Sequence, residues 1–182
     1  MADTILRWMR AVNRIVALGV GLMLLICAAF VLADIVLRQL GSSFGGTDEV
    51  SGYAMAIATS WGMAYTLLEL GHVRIDLVRS RLPDWPRALL DLFAMLVMTL
   101  VISLIAYKCW PVVGNSLANN STANTPLETP LALVQIPWFA GWLWFALSAW
   151  ITLLAAALLV VKGRLKDSEN AIGAFAEAET LQ

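Results

Sequence analysis

IVALGVGLMLLICAAFVLADIVL, residues 15–37, decides the fold class. It holds one charged side chain, Asp34, and it exceeds the roughly 20 apolar residues that cross about 30 Å of hydrocarbon as a helix. Three more stretches of the same kind follow at 50–70, 88–113 and 131–161. The basic residues between them are segregated. Arg7, Arg10 and Arg14 precede the first stretch, Arg74, Arg79, Arg81 and Arg87 lie between the second and third, and Lys162, Arg164 and Lys166 follow the fourth. Only Arg38 falls in the first connection and none in the third, while Lys108 lies inside the third stretch. Lys and Arg accumulate on the cytoplasmic side. The sequence therefore predicts an all-α integral membrane protein with four transmembrane helices, both termini cytoplasmic, in a bacterial inner membrane.

Composition agrees. Hydrophobic residues make up 60% of the chain and charged residues 14%, against about a quarter charged in soluble domains. One membrane domain, 1–182, leaves no length for a soluble catalytic unit. A net charge of −1 points to no nucleic acid. Cys27 and Cys109 both fall within predicted spans, where a thiol acts as a small apolar group, so neither a disulfide framework nor a metal cluster is expected. The first apolar run continues well past the 7–15 residues of a signal-peptide core and reads as a retained span.

Residues 3–14 carry a second membrane signal. At 100° per residue Ile5, Trp8, Met9, Val12 and Val16 share one face, with Arg7, Arg10 and Arg14 almost opposite. This pattern predicts an interfacial amphipathic helix whose basic face meets anionic headgroups, which makes membrane lipids a partner. In the second span Ala54, Ala58 and Gly62 recur every four residues, and such small-residue ridges let helices approach closely in lipid. Trp8 and Trp85 at one level, with Trp110, Trp138, Trp142 and Trp144 at the other, read as interfacial belts. The fourth stretch would make about 46 Å of helix, so Pro137 is expected to separate interfacial turns from a distinct crossing. The connection 114–130 reads as a flexible polar linker. The tail, 162–182, is cytoplasmic and receives no function.

Ionisable residues collect near the span ends. Asp34 precedes Arg38 by one turn, the favourable order for an ion pair, and Lys108 is placed either to snorkel or to pair with Asp34 or Glu49. Asp91 is expected at the positive end of the third helix's dipole. The middle layers hold no charge, which disfavours a proton or sodium relay within this chain. A bis-histidine haem needs two imidazoles and the sequence has only His72. Without a phosphate-cradling glycine loop, metal-ligand spacing or nucleophile triad, no cofactor and no enzymatic activity are expected. At 71–76 the sequence reads Gly-His-Val-Arg-Ile-Asp. Gly71 permits a helix exit, His72 can reach terminal carbonyls, and Arg74 and Asp76 either tie the loop to neighbouring helix ends or form an ordinary solvated turn.

These residues resemble the small membrane subunit of tripartite ATP-independent periplasmic (TRAP) transporters, the DctQ-like family. The resemblance rests on Arg38 after the first span, Glu49 at the start of the second, and Gly62 ten residues before His72. The 71–76 turn is similar to the family's Gly-x-His-hydrophobic-x-hydrophobic-Asp segment, with Leu82-Pro83 following. Leu68 and Glu69 stand where members often carry basic residues, and Gly46-Thr47-Asp48 replaces a usual tryptophan. The resemblance implies a scaffold for a large elevator-type subunit that carries the sodium and substrate sites. A periplasmic binding protein would deliver an organic acid to it, partly across a docking surface on this chain. Arg38, Glu49, Gly62, His72, Arg74 and Asp76 are then the residues expected to matter for structure and assembly, with Asp34, Arg38 and Lys108 as the intramembrane ion-pairing set. An autonomous four-helix carrier or exporter, acting as a homo-oligomer through Asp34, is the alternative. A haem-bearing respiratory anchor with a ligand from another chain is a third reading.

Overall fold

The computed structural model describes residues 2–72, 79–125 and 127–173. Among them are five α-helices: α1 (Ala2–Gln39), α2 (Thr47–Leu68), α3 (Asp84–Ala118), α4 (Leu131–Val161) and the short α5 (Leu165–Ile172). A 3-10 turn, Arg79–Arg81, leads into α3. α1, α3 and α4 are long and apolar enough to cross a membrane. α2, with Ser51, Gly52, Thr59, Ser60, Gly62 and Thr66 along its 22 residues, does not reach that apolarity.

Helix ends follow one chemistry. At each of four C-termini a residue in the left-handed region lets the next amide reach back five residues, the Schellman arrangement that satisfies orphan carbonyls. Gly41 (φ 82°) serves α1, with Ser42 N–H donating to Leu37 O at 3.0 Å. Gly163 (φ 71°) serves α4, with Arg164 N–H donating to Leu159 O at 3.0 Å. Asn120 does the same for α3. In α2 the left-handed residue is Leu70 (φ 55°), and Gly71 N–H donates to Thr66 O at 2.8 Å. Gly71 is thus not the residue that turns the chain. It is small because a Cβ there would lie 2.9 Å from Thr66 Cγ2.

Three expectations are corrected by continuity. Residues 3–14 and 15–37 form one unbroken helix, α1, and its N-terminal turns bury Leu6, Met9 and Asn13 while Ile5 and Trp8 stay exposed. The inward stripe follows the partner, α4, because Asn13 Oδ1 accepts a 3.0 Å hydrogen bond from Trp144 Nε1. Pro137 does not divide α4, which runs whole from Leu131 to Val161. The connection after α3 is not a loose linker: Thr122 and Pro130 form an antiparallel bridge, with Ala123 N–H donating to Thr129 O and Leu131 N–H to Ser121 O, each 2.9 Å. Its Leu127 packs against Gly46.

α4 is the central element, packing against α1, α2, α3 and α5. Its inner side alternates bulk with small groups: Gly141, Phe145, Ser148, Ala149, Thr152 and Ala156 are all buried. Across from them lie Ala64 and Leu67 of α2, and Met95 and Ile102 of α3. Two buried threonines in the middle of the helices satisfy their hydroxyls locally. Thr99 Oγ1 donates to Met95 O at 2.7 Å and Thr152 Oγ1 to Ser148 O at 2.8 Å, the local bond that lets a hydroxyl sit inside a helix bundle. None of the most apolar stretch of α1 is fully buried; one side is half-covered where it packs on α2, and the rest faces outward.

Close approach of α2 and α4 depends on Gly141. A Cβ there would overlap the Ser60 side chain and lie 2.8 Å from Trp61 Cδ1, whereas a Cβ on Gly62 would meet nothing within 4 Å. Trp61 Nε1 donates to Pro137 O at 2.9 Å beside this contact. Gly141→Leu is therefore expected to destabilise the chain by about 1–3 kcal/mol through overpacking, and Gly62→Leu to leave it unchanged. Thermal unfolding of the two purified variants in detergent checks the contrast.

Candidate functional site

Two polar clusters occupy opposite ends of the structure. The first surrounds Asp34, near the end of α1 and 1% exposed. Its Oδ1 accepts from Ser43 Oγ (2.9 Å) and Phe44 N–H (2.8 Å), and its Oδ2 from Arg38 Nε (2.8 Å) and Thr47 Oγ1 (2.6 Å). A second Arg38 nitrogen lies 2.7 Å from the same oxygen. One carboxylate so gathers the last turn of α1, the connection and the first residue of α2. Bonds from several donors to an ionised acceptor are the strong ones. The expected Asp34–Arg38 pair is present. Lys108 does not join it: its Nζ lies 5.8 Å over the ring of Tyr107 and the side chain is exposed. Glu49, two residues further along α2, accepts from Tyr53 Oη at 2.7 Å, with the hydroxyls of Thr125 and Thr129 beside it. That places Glu49 where the α1–α2 and α3–α4 connections meet.

The second cluster lies at the other end. His72 stacks on Phe145 of α4, ring centroids 6.1 Å apart and planes 23° apart, and Phe145 in turn packs near Trp142. The imidazole so caps the α2–α4 seam. Arg74 and Asp76 lie outside the described residues. The chain resumes at Arg79, which is buried and grips Asp91 with two bonds, Nε to Oδ1 at 2.8 Å and Nη2 to Oδ2 at 3.0 Å. Asp91 sits two turns inside α3, because the helix begins at Asp84. It answers the guanidinium and not the helix dipole, which fades beyond the first turn. The Asp91 carboxylate, followed by Glu169, pushes the Arg79 pKa further above its ordinary value.

Glu169 belongs to α5. Its Oε1 accepts from Arg79 Nη2 at 2.6 Å and lies 3.5 Å from Arg87 Nη1. α5 is tied to the opposite end of the chain as well. Arg164 makes two bonds to Asp3 (2.8 and 3.1 Å) and one to Asp167 (2.7 Å), and Arg10 Nη2 donates to Asn170 O at 3.1 Å. Ser168, Ala171 and Ile172 are buried beneath. This clasp is what sequence reasoning missed. Its signal is short but legible: Leu165, Ser168, Ala171 and Ile172 fall on one helical stripe just after Gly163. Arg38, Glu49, Gly62 and His72 are not brought together. They mark the α1–α2 knot, the junction of connections, an open face of α2 and the α2–α4 seam in turn.

The two clusters are structural ties. Among the described residues no three His, Cys, Asp or Glu side chains are placed to hold a metal.

Asp91→Asn is expected to cost about 3 kcal/mol, because it removes the buried charge that answers the buried Arg79 guanidinium. Glu169→Gln should cost about 1 kcal/mol or less, since its side chain is 37% exposed and water replaces the pair. Denaturation of the two variants, with hydrogen exchange at 79–91, reads the difference. In addition, Asp34→Ala should expose the 40–46 connection to protease, while Arg38→Ala, which removes one half-exposed donor among several, should leave it protected.

One comparison with known proteins is positive. The family model for tripartite ATP-independent periplasmic transporters, DctQ component, matches residues 27–161. No curated protein and no solved structure matches the chain. The match runs from the middle of α1 to the last residue of α4 and leaves out Asp3, Arg10 and α5, so the clasp joins segments on both sides of the family region.

Proposed function

The chain belongs to the DctQ family, the small membrane component of TRAP transporters, and from that premise we propose that it scaffolds the large membrane subunit of a sodium-coupled importer of an organic acid. In this reading the large subunit carries sodium and solute. A periplasmic binding protein delivers the solute, and the connections around Glu49 form part of its docking surface. DctQ proteins are transporter subunits and not enzymes.

The observation that carries the scaffold role is where the charges are. No Asp, Glu, Lys or Arg occurs in 15–33, 50–68, 92–107 or 131–161. Among the described residues the paired acidic and basic side chains lie toward one end or the other, and Asp34, Asp91, Glu169 and Asp3 each hold two elements together. An ion-coupled carrier needs ionisable groups at mid-depth with capacity left for cargo. Asp34, the nearest candidate for an autonomous carrier, has both oxygens occupied by donors from its own chain.

Four crossings follow if α2 is the least apolar of them. Its 22 residues rise about 33 Å, enough for the hydrocarbon. Gly52, Thr59 and the open side of Gly62 then face a helix of the large subunit, where small residues permit backbone contact. The basic residues of the N-terminal turns, the 71–87 connection and the C-terminal segment put both termini and α5 in the cytoplasm. The uncovered length of α1 is the remaining lipid or partner surface.

A tagged chain drawn from native membranes in mild detergent is expected to bring down a large polytopic protein in constant ratio. Gly62→Leu should reduce that recovery several-fold without lowering the chain's own unfolding temperature. Solute uptake by liposomes holding this chain alone would refute the scaffold assignment, and enzyme-reporter fusions at residues 42 and 80 test the orientation.

A further inference from the structure

The outward stripe of α3 measures the bilayer. Between Trp85 and Tyr107 its exposed residues are apolar, among them Leu89, Phe93, Val97, Leu100 and Leu104. From Leu89 to Tyr107 the helix rises about 27 Å, close to the roughly 30 Å of a hydrocarbon core. Trp85 and Trp110, 57% and 56% exposed, stand about 38 Å apart along the axis, within the 40–45 Å that includes both headgroup layers. Tryptophan and tyrosine settle at those layers.

Lys108 lies at the upper limit of this strip. It is exposed, adjoins the 72% exposed Tyr107, and takes part in no ion pair among the described residues. Asp34 and Glu49, the carboxylates nearest to it in the expected arrangement, are bonded elsewhere. An ammonium at the edge of hydrocarbon extends its stem toward the nearest anionic oxygens. At this depth and on this outward face those belong to a phospholipid.

We infer that Lys108 and Tyr107 form a binding site for a phospholipid headgroup in the leaflet at the C-terminal end of α3. The ammonium takes the phosphate and the Tyr107 hydroxyl supplies a second donor, while Trp110, packed on Phe139 of α4 with ring centroids 5.6 Å apart, marks the same depth on the other side of the helix from Lys108. The site fixes the depth of α3, so that its turns beyond Trp110 and the bridged connection 121–131 stand outside the hydrocarbon. The inference rests on the proposed crossing of the membrane by α3, but on neither its direction nor the identity of the large subunit.

Native mass spectrometry of the full chain titrated with phosphatidylglycerol, an anionic phospholipid, tests it. Wild type and Lys108→Arg should retain one phospholipid that Lys108→Ala binds about fivefold more weakly, the factor for one basic residue near a lipid surface. Equal binding by Lys108→Ala would overturn the site. So would a zero-length amine–carboxyl cross-link from Lys108 to a protein partner, which would assign the ammonium to a carboxylate. A cysteine at Leu96→Cys, in a background of Cys27→Ala and Cys109→Ala, separates this failure from failure of the span. If it resists an aqueous maleimide, α3 crosses the membrane and the lipid result judges the site alone. If it reacts, the crossing itself is lost, and the site with it.

Discussion

A carboxylate withdrawn from water must find its donors inside the chain, and two of them, Asp34 and Asp91, organise the ends of this structure. Each is nearly inaccessible to solvent. Each is held by a guanidinium, and each brings together segments that are separate in sequence. Asp34 closes the α1–α2 hairpin by collecting a hydroxyl, an amide and a second hydroxyl beside Arg38. Asp91 anchors Arg79, and through Arg79 the last helix. Removing either carboxylate leaves buried donors without acceptors, which costs more than the pairing itself contributes.

Between those ends the design is governed by shape. With no water to exclude, helices in a bilayer associate through close packing. α4 achieves this with small residues on the side that faces its neighbours, and Gly141 admits Ser60 and Trp61 of α2. Buried Thr99 and Thr152 bond within their own helices, and the polar bonds that cross the seams are made chiefly by tryptophan N–H groups, Trp61 to Pro137 and Trp144 to Asn13. Among the described residues the middle of such a bundle holds no Asp, Glu, Lys or Arg, and the ion pairs gather toward the helix ends.

Much of this was legible because it depends on local composition. Residues 15–37, 88–113 and 131–161 announce helices by length and apolarity, and Asp34–Arg38 announces itself by spacing. His72 at a helix exit was equally visible, although its partner, Phe145, was not. The gaps have physical causes. Gly62 stood out by its four-residue rhythm with Ala54 and Ala58, yet a rhythm says only that a face is small, not which neighbour it meets. Gly141 lies in no such rhythm, and its importance arises from a contact 80 residues away in sequence. Asp91 looked like a helix-start residue because hydropathy marks where apolar residues begin, whereas backbone hydrogen bonding begins α3 seven residues earlier.

The sequence by itself determined the class of the protein. A hydrocarbon core admits helices because their backbone groups are satisfied within themselves, and three stretches are long and apolar enough to form them. It also contained the pattern by which the chain resembles, and by comparison belongs to, the DctQ family. Tertiary structure alone decided which polar groups became partners. Arg164 took both Asp3 and Asp167, Arg79 took Asp91 and Glu169, and Lys108, over the ring of Tyr107, joins no ion pair among the described residues. Charge pairing depends on distance in space between residues up to 161 positions apart, and no local rule of composition or spacing carries that distance.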